Sequence, residues 1–256
     1  DMQMDKGPIL ILGGTHEARK LAEHLTKELG NNSVISSLSG ATEKPKSLPG
    51  KSRIGGFGGA EKFGEFLLNN RVIAVIDATH PFAERISVNA ITACRKVNIP
   101  LISLQRKPWQ KHKNDNWIVV RDLPAAVDLA PNFGLRVFLS LGPRAISYFS
   151  RHTDLWFLVR VIDAPEEPIK LKNYKLVLGR GPFNLEDELN LLKRNNIDLL
   201  ITRNSGGEAS YAKILAARKL SLPVVIIKQP ININLHVANS LDDTLNLISS
   251  QLGRKI

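Results

Sequence analysis

The stretch PILILGGTHEARKLAEHL, Pro8 to Leu25, passes from an unbroken apolar run to a helical pattern across two glycines. Residues 8–12 are short and uniformly apolar, the pattern of a strand buried on both faces. From His16 onward, Ala18, Leu21, Ala22, Leu25 and Leu29 fall on one side of a helix, which Gly30 and Asn31 terminate. A buried strand, a glycine turn and an amphipathic helix open a βαβ unit, whose crossover implies a parallel sheet.

The same grammar extends outward. Strands are expected at 33–38, 72–77 and 101–104, with helices at 61–68 and from Pro81, in a first-turn position, to Val97. The Gly-, Pro-, Ser- and Lys-rich residues between Leu38 and Gly59 read as a loop. Beyond the charged stretch 106–116, strands are expected at 117–120, 137–141, 156–161, 175–178, 199–202 and 224–227. Helices are expected at 124–129, 144–149, 185–195, 209–220 and 241–252. There is also an internal echo. A shift of 123 positions places Thr79, Ile91, Ala93, Arg95, Lys96 and Pro100 on identical residues at Thr202, Ile214, Ala216, Arg218, Lys219 and Pro223. The expectation is an α/β chain of two Rossmann-like or flavodoxin-like lobes, 1–110 and 111–256, with parallel sheets and a ligand cleft between them. Ligands of such sheets bind beyond the carboxyl ends of the strands, which points to the loops after Leu12, Leu38, Asp77, Leu141 and Thr202.

Composition bounds the function. No apolar run reaches the roughly 18 residues of a membrane helix, and residues 1–6 are polar, unlike a secretory signal. Cys94 is the one cysteine, so no internal disulfide forms and a cytoplasmic location is expected. The net charge of +11 favours a polyanionic partner, either nucleic acid or a small ligand rich in carboxylates or phosphates. No basic tail, zinc finger or RNA-binding aromatic motif supports nucleic acid. The dispersed histidines predict no metal site, and neither a nucleophile elbow nor a Walker loop is present. Cys94 sits among apolar neighbours and reads as core. Without a protein nucleophile or metal, the chemistry falls to a borrowed reagent such as a nicotinamide cofactor.

Five loops carry candidate residues. Gly13, Gly14 and Thr15 lead into the first helix, where close backbone approach and free N–H groups suit a phosphate; Thr15 either caps the helix or donates to that phosphate. After the second strand, Ser39 and Thr42, with Lys44 and Lys46, stand where NAD-specific folds place a carboxylate, so NADPH is favoured over NADH. Gly55, Gly56, Phe57, Gly58 and Gly59 form a run suited to sharp bends or ligand contact, with Phe57 against a cofactor ring or the core. Asp77, Thr79 and His80 follow a buried strand; His80 is a candidate proton donor or carboxylate ligand, and Asp77 a cap or orienting group. Arg203, Ser205, Gly206 and Gly207 form a cationic, glycine-containing loop suited to an anion.

Taken in order, ILGGTHEARKLA, IGGFGG, DATHPFA, SVNAITACRKVNIPL, RKPW and TRNSGG span nearly the whole chain and resemble the precorrin-6A reductase family of cobalamin biosynthesis. The resemblance implies NADPH-dependent hydride transfer to C19 of the tetrapyrrole precorrin-6A, giving precorrin-6B. It assigns Gly13, Gly14, Thr15, Ser39, Thr42 and the loop of Gly55, Gly56, Phe57, Gly58 and Gly59 to the cofactor. Thr79 and His80 are placed at the reacting groups, and Asp77, Arg203, Ser205, Gly206 and Gly207 toward the substrate. A polycarboxylate substrate also gives the +11 charge a purpose. The chain departs from the family where Ala41 stands for an arginine, Arg203 for a lysine and Gln229 for an arginine. The alternatives are a cobalt-precorrin-6A reductase and a non-enzymatic basic nucleotide-binding protein. A monomer is expected.

Overall fold

The computed structural model describes residues 7–40 and 47–256. The first strand, β1 (Ile9–Leu12), is fully buried, and its alternating side chains divide between two cores. Ile9 and Ile11 meet Ala18, Leu21, Ala22 and Leu25 of α1 (His16–Leu29). Leu10 and Leu12 point to the opposite face, into a second core. A strand buried on both sides must be apolar throughout, which accounts for the opening run.

From β1 the chain proceeds through β2 (Val34–Leu38), β3 (Lys51–Ile54), α2 (Ala60–Asn69), β4 (Ala74–Asp77), α3 (Glu84–Val97) and β5 (Leu101–Leu104). It continues through β6 (Asn116–Val120), α4 (Leu123–Leu129), β7 (Arg136–Ser140), α5 (Pro143–Ile146), β8 (Trp156–Val161), β9 (Tyr174–Leu178) and α6 (Leu185–Arg194). The last elements are β10 (Leu199–Arg203), α7 (Ala212–Lys219), β11 (Pro223–Ile227), β12 (Val237–Ala238) and α8 (Leu241–Leu252). Phe63 and Leu67 of α2 and Ala90, Ala93 and Cys94 of α3 cover the second face of the first sheet. Among the described residues, no helix is long and apolar enough to cross a membrane.

Two six-stranded parallel sheets result, ordered β12-β5-β4-β1-β2-β3 and β6-β11-β10-β7-β8-β9. Each keeps the strand sequence 3-2-1-4-5 of dinucleotide-binding α/β domains, with one further strand at the sixth position. The internal echo is this equivalence: its six identities lie in β4–α3–β5 and in β10–α7–β11. The sixth strand differs in origin. It comes from the chain's C-terminal end in the first sheet and from the start of the second half in the other.

The division of the chain therefore differs from the expected 1–110 and 111–256. One unit comprises residues up to Arg106 together with Pro230–Ile256, and the other is Lys107–Gln229. The C-terminal return is held by β12 pairing with β5 and by Ile248 and Leu245 of α8 packing on the core of β1. The boundary moves forward from 110 because the connecting stretch is pinned to the second unit. Asn204 accepts from Trp109 N at 2.7 Å, and Arg218 forms two bonds to Asp115 at 2.7 and 3.1 Å. Two further expectations shift. Lys51–Ile54, read as loop, forms β3 beside β2. Pro81 lies in a turn closed by Ala83 N to His80 O at 2.9 Å, and α3 begins only at Glu84.

Candidate active site

In the first unit the strand order reverses between β1 and β4, and the loops leaving their carboxyl ends are bonded together. Thr15 Oγ1 accepts from Ala18 N at 3.2 Å, capping α1, and donates to Ala78 O at 2.6 Å. Its one proton is thus committed to Ala78, so Thr15 fastens the β1 loop to the β4 loop and caps the helix instead of donating to a phosphate. Gly13 N reaches Ser37 O at 2.9 Å, which adds β2 to the same edge. Gly14 has φ 98°, and a Cβ there would meet nothing within 4 Å. Glycine is required for the backbone turn, and the space before it is open. A glycine turn, open space and the amino end of a 14-residue helix fit the phosphates of a dinucleotide.

In the glycine run the structure takes the second of the two expected roles of Phe57. Phe57 stacks on Phe63 at 4.0 Å between ring centroids and meets Phe66 edge-on at 5.1 Å, so it anchors the loop in the core. Arg53 of β3 lies over the Phe57 ring at 3.9 Å and donates to Ser37 Oγ, Gly55 O and Gly56 O. Gly55, Gly58 and Gly59 all have positive φ, as the bends require. Arg53 holds this loop, and the sequence carries no signal for it because β3 is an exposed, charged strand without an apolar run. Ser39 follows β2 at the same edge; Thr42, Lys44 and Lys46 lie outside the described residues.

Asp77 is buried and its carboxylate is committed within the protein. Oδ1 accepts from Thr79 N at 3.1 Å and Thr79 Oγ1 at 2.6 Å, and Oδ2 accepts from Ser87 Oγ at 2.5 Å. It therefore orients Thr79, the cap-or-orienter role the sequence allows. His80 Nδ1 accepts from Phe82 N at 3.2 Å, which leaves the proton of a neutral ring on Nε2. Asp77, Thr79 and His80 line a pocket of about 350 Å³ with Glu84 and Ser87 of α3 and residues 230–233. Cys94 is buried nearby. Desolvation, with the Asp77 charge, pushes its thiol up to about 12, so it is inert packing.

Glu17 and Arg106 form a two-pronged pair at 2.9 and 3.0 Å, clamping the first turn of α1 to the end of β5. Burial raises the Glu17 carboxyl, but the Arg106 bonds and charge outweigh it and hold it below the ordinary carboxylate range. Both residues lie in motifs quoted above, but no local spacing connects residues 89 positions apart.

Arg203, Ser205, Gly206 and Gly207 belong to the second unit, at the carboxyl end of β10. Gly206 and Gly207 have φ of 65° and 74°. The loop is fixed by Asn204, which bonds both N and O of Trp109, and by Trp109 Nε1 donating to Gly207 O at 2.6 Å. This explains physically why RKPW and TRNSGG belong together. Below the loop, Arg160 and Glu188 form a buried pair at 2.5 and 2.9 Å. Burial, aided by Arg160 and opposed by Glu188, lowers Lys213 to about 7.

A family model described as precorrin-6x reductase CbiJ/CobK matches residues 8–249. A precorrin-6A reductase of Rhodococcus erythropolis is 43% identical over 222 residues, covering 87% of this chain and 89% of the relative. A solved structure of CobK precorrin-6A reductase superposes with a TM-score of 0.90 at 36% identity, covering 97% of this chain and 98% of that one. A cobalt-precorrin-6A reductase of Salmonella typhimurium is 28% identical over 239 residues, 89% of each chain. With both Rossmann-like sheets and the motif loops at their carboxyl edges, the chain belongs to the precorrin-6x reductase CbiJ/CobK family.

Proposed function

We propose that this protein is an NADPH-dependent precorrin-6A reductase, delivering hydride to C19 of the macrocycle to give precorrin-6B in cobalamin biosynthesis. The observation that carries the reading is the Thr15–Ala78 bond, which joins a dinucleotide-type glycine loop to the strand end bearing Thr79 and His80. NADPH, when bound, supplies the hydride. Gly13, Gly14 and the α1 amino end hold the diphosphate; Ser39 serves the 2′-phosphate, a role the sequence also gives to Thr42. The loop from Gly55 to Gly59, braced by Phe57 and Arg53, closes over the nucleotide. Asp77 fixes Thr79 in position, His80 Nε2–H donates a hydrogen bond toward the macrocycle, and the proton that accompanies the hydride comes from solvent. Arg203, Ser205, Gly206 and Gly207 engage substrate carboxylates, consistent with the +11 charge. Positioning and exclusion of water are the main demands on such a site.

The test is a titration with NADPH and NADH, followed by reduced-nicotinamide absorbance on addition of precorrin-6A. NADPH preference with substrate-dependent oxidation supports the reading. NADPH binding with oxidation only on cobalt-precorrin-6A moves the substrate to the metal-loaded form; the higher identity to a precorrin-6A reductase, 43% against 28%, favours the metal-free one. Binding of neither nucleotide refutes the reading.

A further inference from the structure

Residues 230–236 run Pro-Ile-Asn-Ile-Asn-Leu-His and lead back to β12. Its side chains alternate. Asn234 is turned inward, where Nδ2 donates to Leu101 O and Ser103 Oγ at 3.0 Å and its backbone N to Asn232 Oδ1 at 2.9 Å. Ile231, Ile233 and Leu235 are turned out and are 91%, 66% and 86% exposed. Scattered surface aliphatics are ordinary, but three in alternation on a hydrogen-bonded segment form a patch that calls for a ligand.

Two of the three, Ile231 and Ile233, line the pocket that holds Thr79 and His80, and half-exposed Val88 of α3 lines it as well. The remaining lining includes two carboxylates, Asp77 and Glu84, and no lysine or arginine. Such a wall repels phosphates and carboxylates and accepts an uncharged, flat, apolar surface. Ile231 to Leu235 spans at most about 14 Å, more than one nicotinamide ring needs and suited to a macrocycle.

We propose that Ile231, Ile233 and Leu235 form an apolar platform against which the tetrapyrrole macrocycle packs. The proposal rests on the reductase reading. It makes these side chains determinants of substrate affinity and leaves cofactor affinity independent of them.

The experiment replaces Ile231, Ile233 and Leu235 by Ser, singly and together, in the full chain. It measures KM for precorrin-6A, NADPH Kd without substrate, and Tm. Each truncation is expected to raise KM about tenfold, from the apolar area of one aliphatic side chain. NADPH Kd and Tm stay unchanged, because the side chains are exposed in the free protein, and Ile231→Leu restores KM. A triple variant whose KM stays within about twofold of wild type, or whose NADPH Kd rises in step with KM, overturns the platform. So does concentration-dependent self-association of the wild type that the serines abolish, which would give the patch to a second copy. A wild type that oxidises no NADPH with precorrin-6A overturns the reductase reading itself, and the platform's occupant with it.

Discussion

The replacement Thr15→Val tests the link between the β1 and β4 loops, because valine keeps the shape and removes only the hydroxyl. Two interactions are lost. The Ala18 N–H loses its cap, costing about 1 kcal/mol. The Ala78 carbonyl, in a residue only 2% exposed, loses its donor, costing about 1–3 kcal/mol. The sum is about 2–4 kcal/mol, confined to the first unit. Thr15→Ser keeps both bonds and should cost less than about 1 kcal/mol. The assay exploits the position of the tryptophans: Trp109, Trp117 and Trp156 all lie within Lys107–Gln229. Urea unfolding followed by tryptophan emission reports the second unit, whereas far-ultraviolet circular dichroism reports both. Thr15→Val should lower the midpoint of a dichroism component while the emission midpoint moves less, and NADPH affinity should fall with it. A loss under about 0.5 kcal/mol with unchanged NADPH affinity would refute the claim that this hydroxyl holds the site together.

Lys213→Met addresses the second unit. With the native pKa near 7 and an unfolded value of 10.5, the native state binds fewer protons between those pH values, so wild-type stability rises across that window. The variant should lose that slope and be more stable than wild type at pH 6 by up to about 5 kcal/mol, read by tryptophan emission; an unchanged slope counts against a buried, weakly protonated amine. Arg106→Met should cost about 1 kcal/mol at neutral pH. Because Glu17 titrates below its ordinary value, that difference should shrink as pH falls through the acid range; a pH-independent loss would mean Arg106 acts by packing alone. Gly14→Ala should cost about 1–2 kcal/mol from its positive φ alone and weaken NADPH binding, since no neighbour lies within 4 Å of the added methyl. Full retention of both would show that the turn does not need glycine.

The sequence makes the repeated βαβ plan legible, because buried parallel strands must be apolar throughout and their helices must show a 3.6-residue stripe. It also located the loops after Leu12, Asp77 and Thr202, since glycines and small polar residues at strand ends mark a turn wherever the chain goes next. Tertiary structure decided what no local pattern encodes. Lys51–Ile54 is a half-exposed edge strand carrying Lys51 and Arg53, so it lacks an apolar run, and it pairs only because β2 offers an edge. Val237–Ala238 is too short to register as a strand until β5 lies beside it. The return of residues 230–256 to the first sheet is a matter of topology, invisible to a reading that divides a chain at one boundary. The partners of the site residues were hidden for the same reason. Thr15 with Ala78, Glu17 with Arg106 and Trp109 with Asn204 are separated by 63, 89 and 95 positions, and only folding brings such groups within reach of a hydrogen bond.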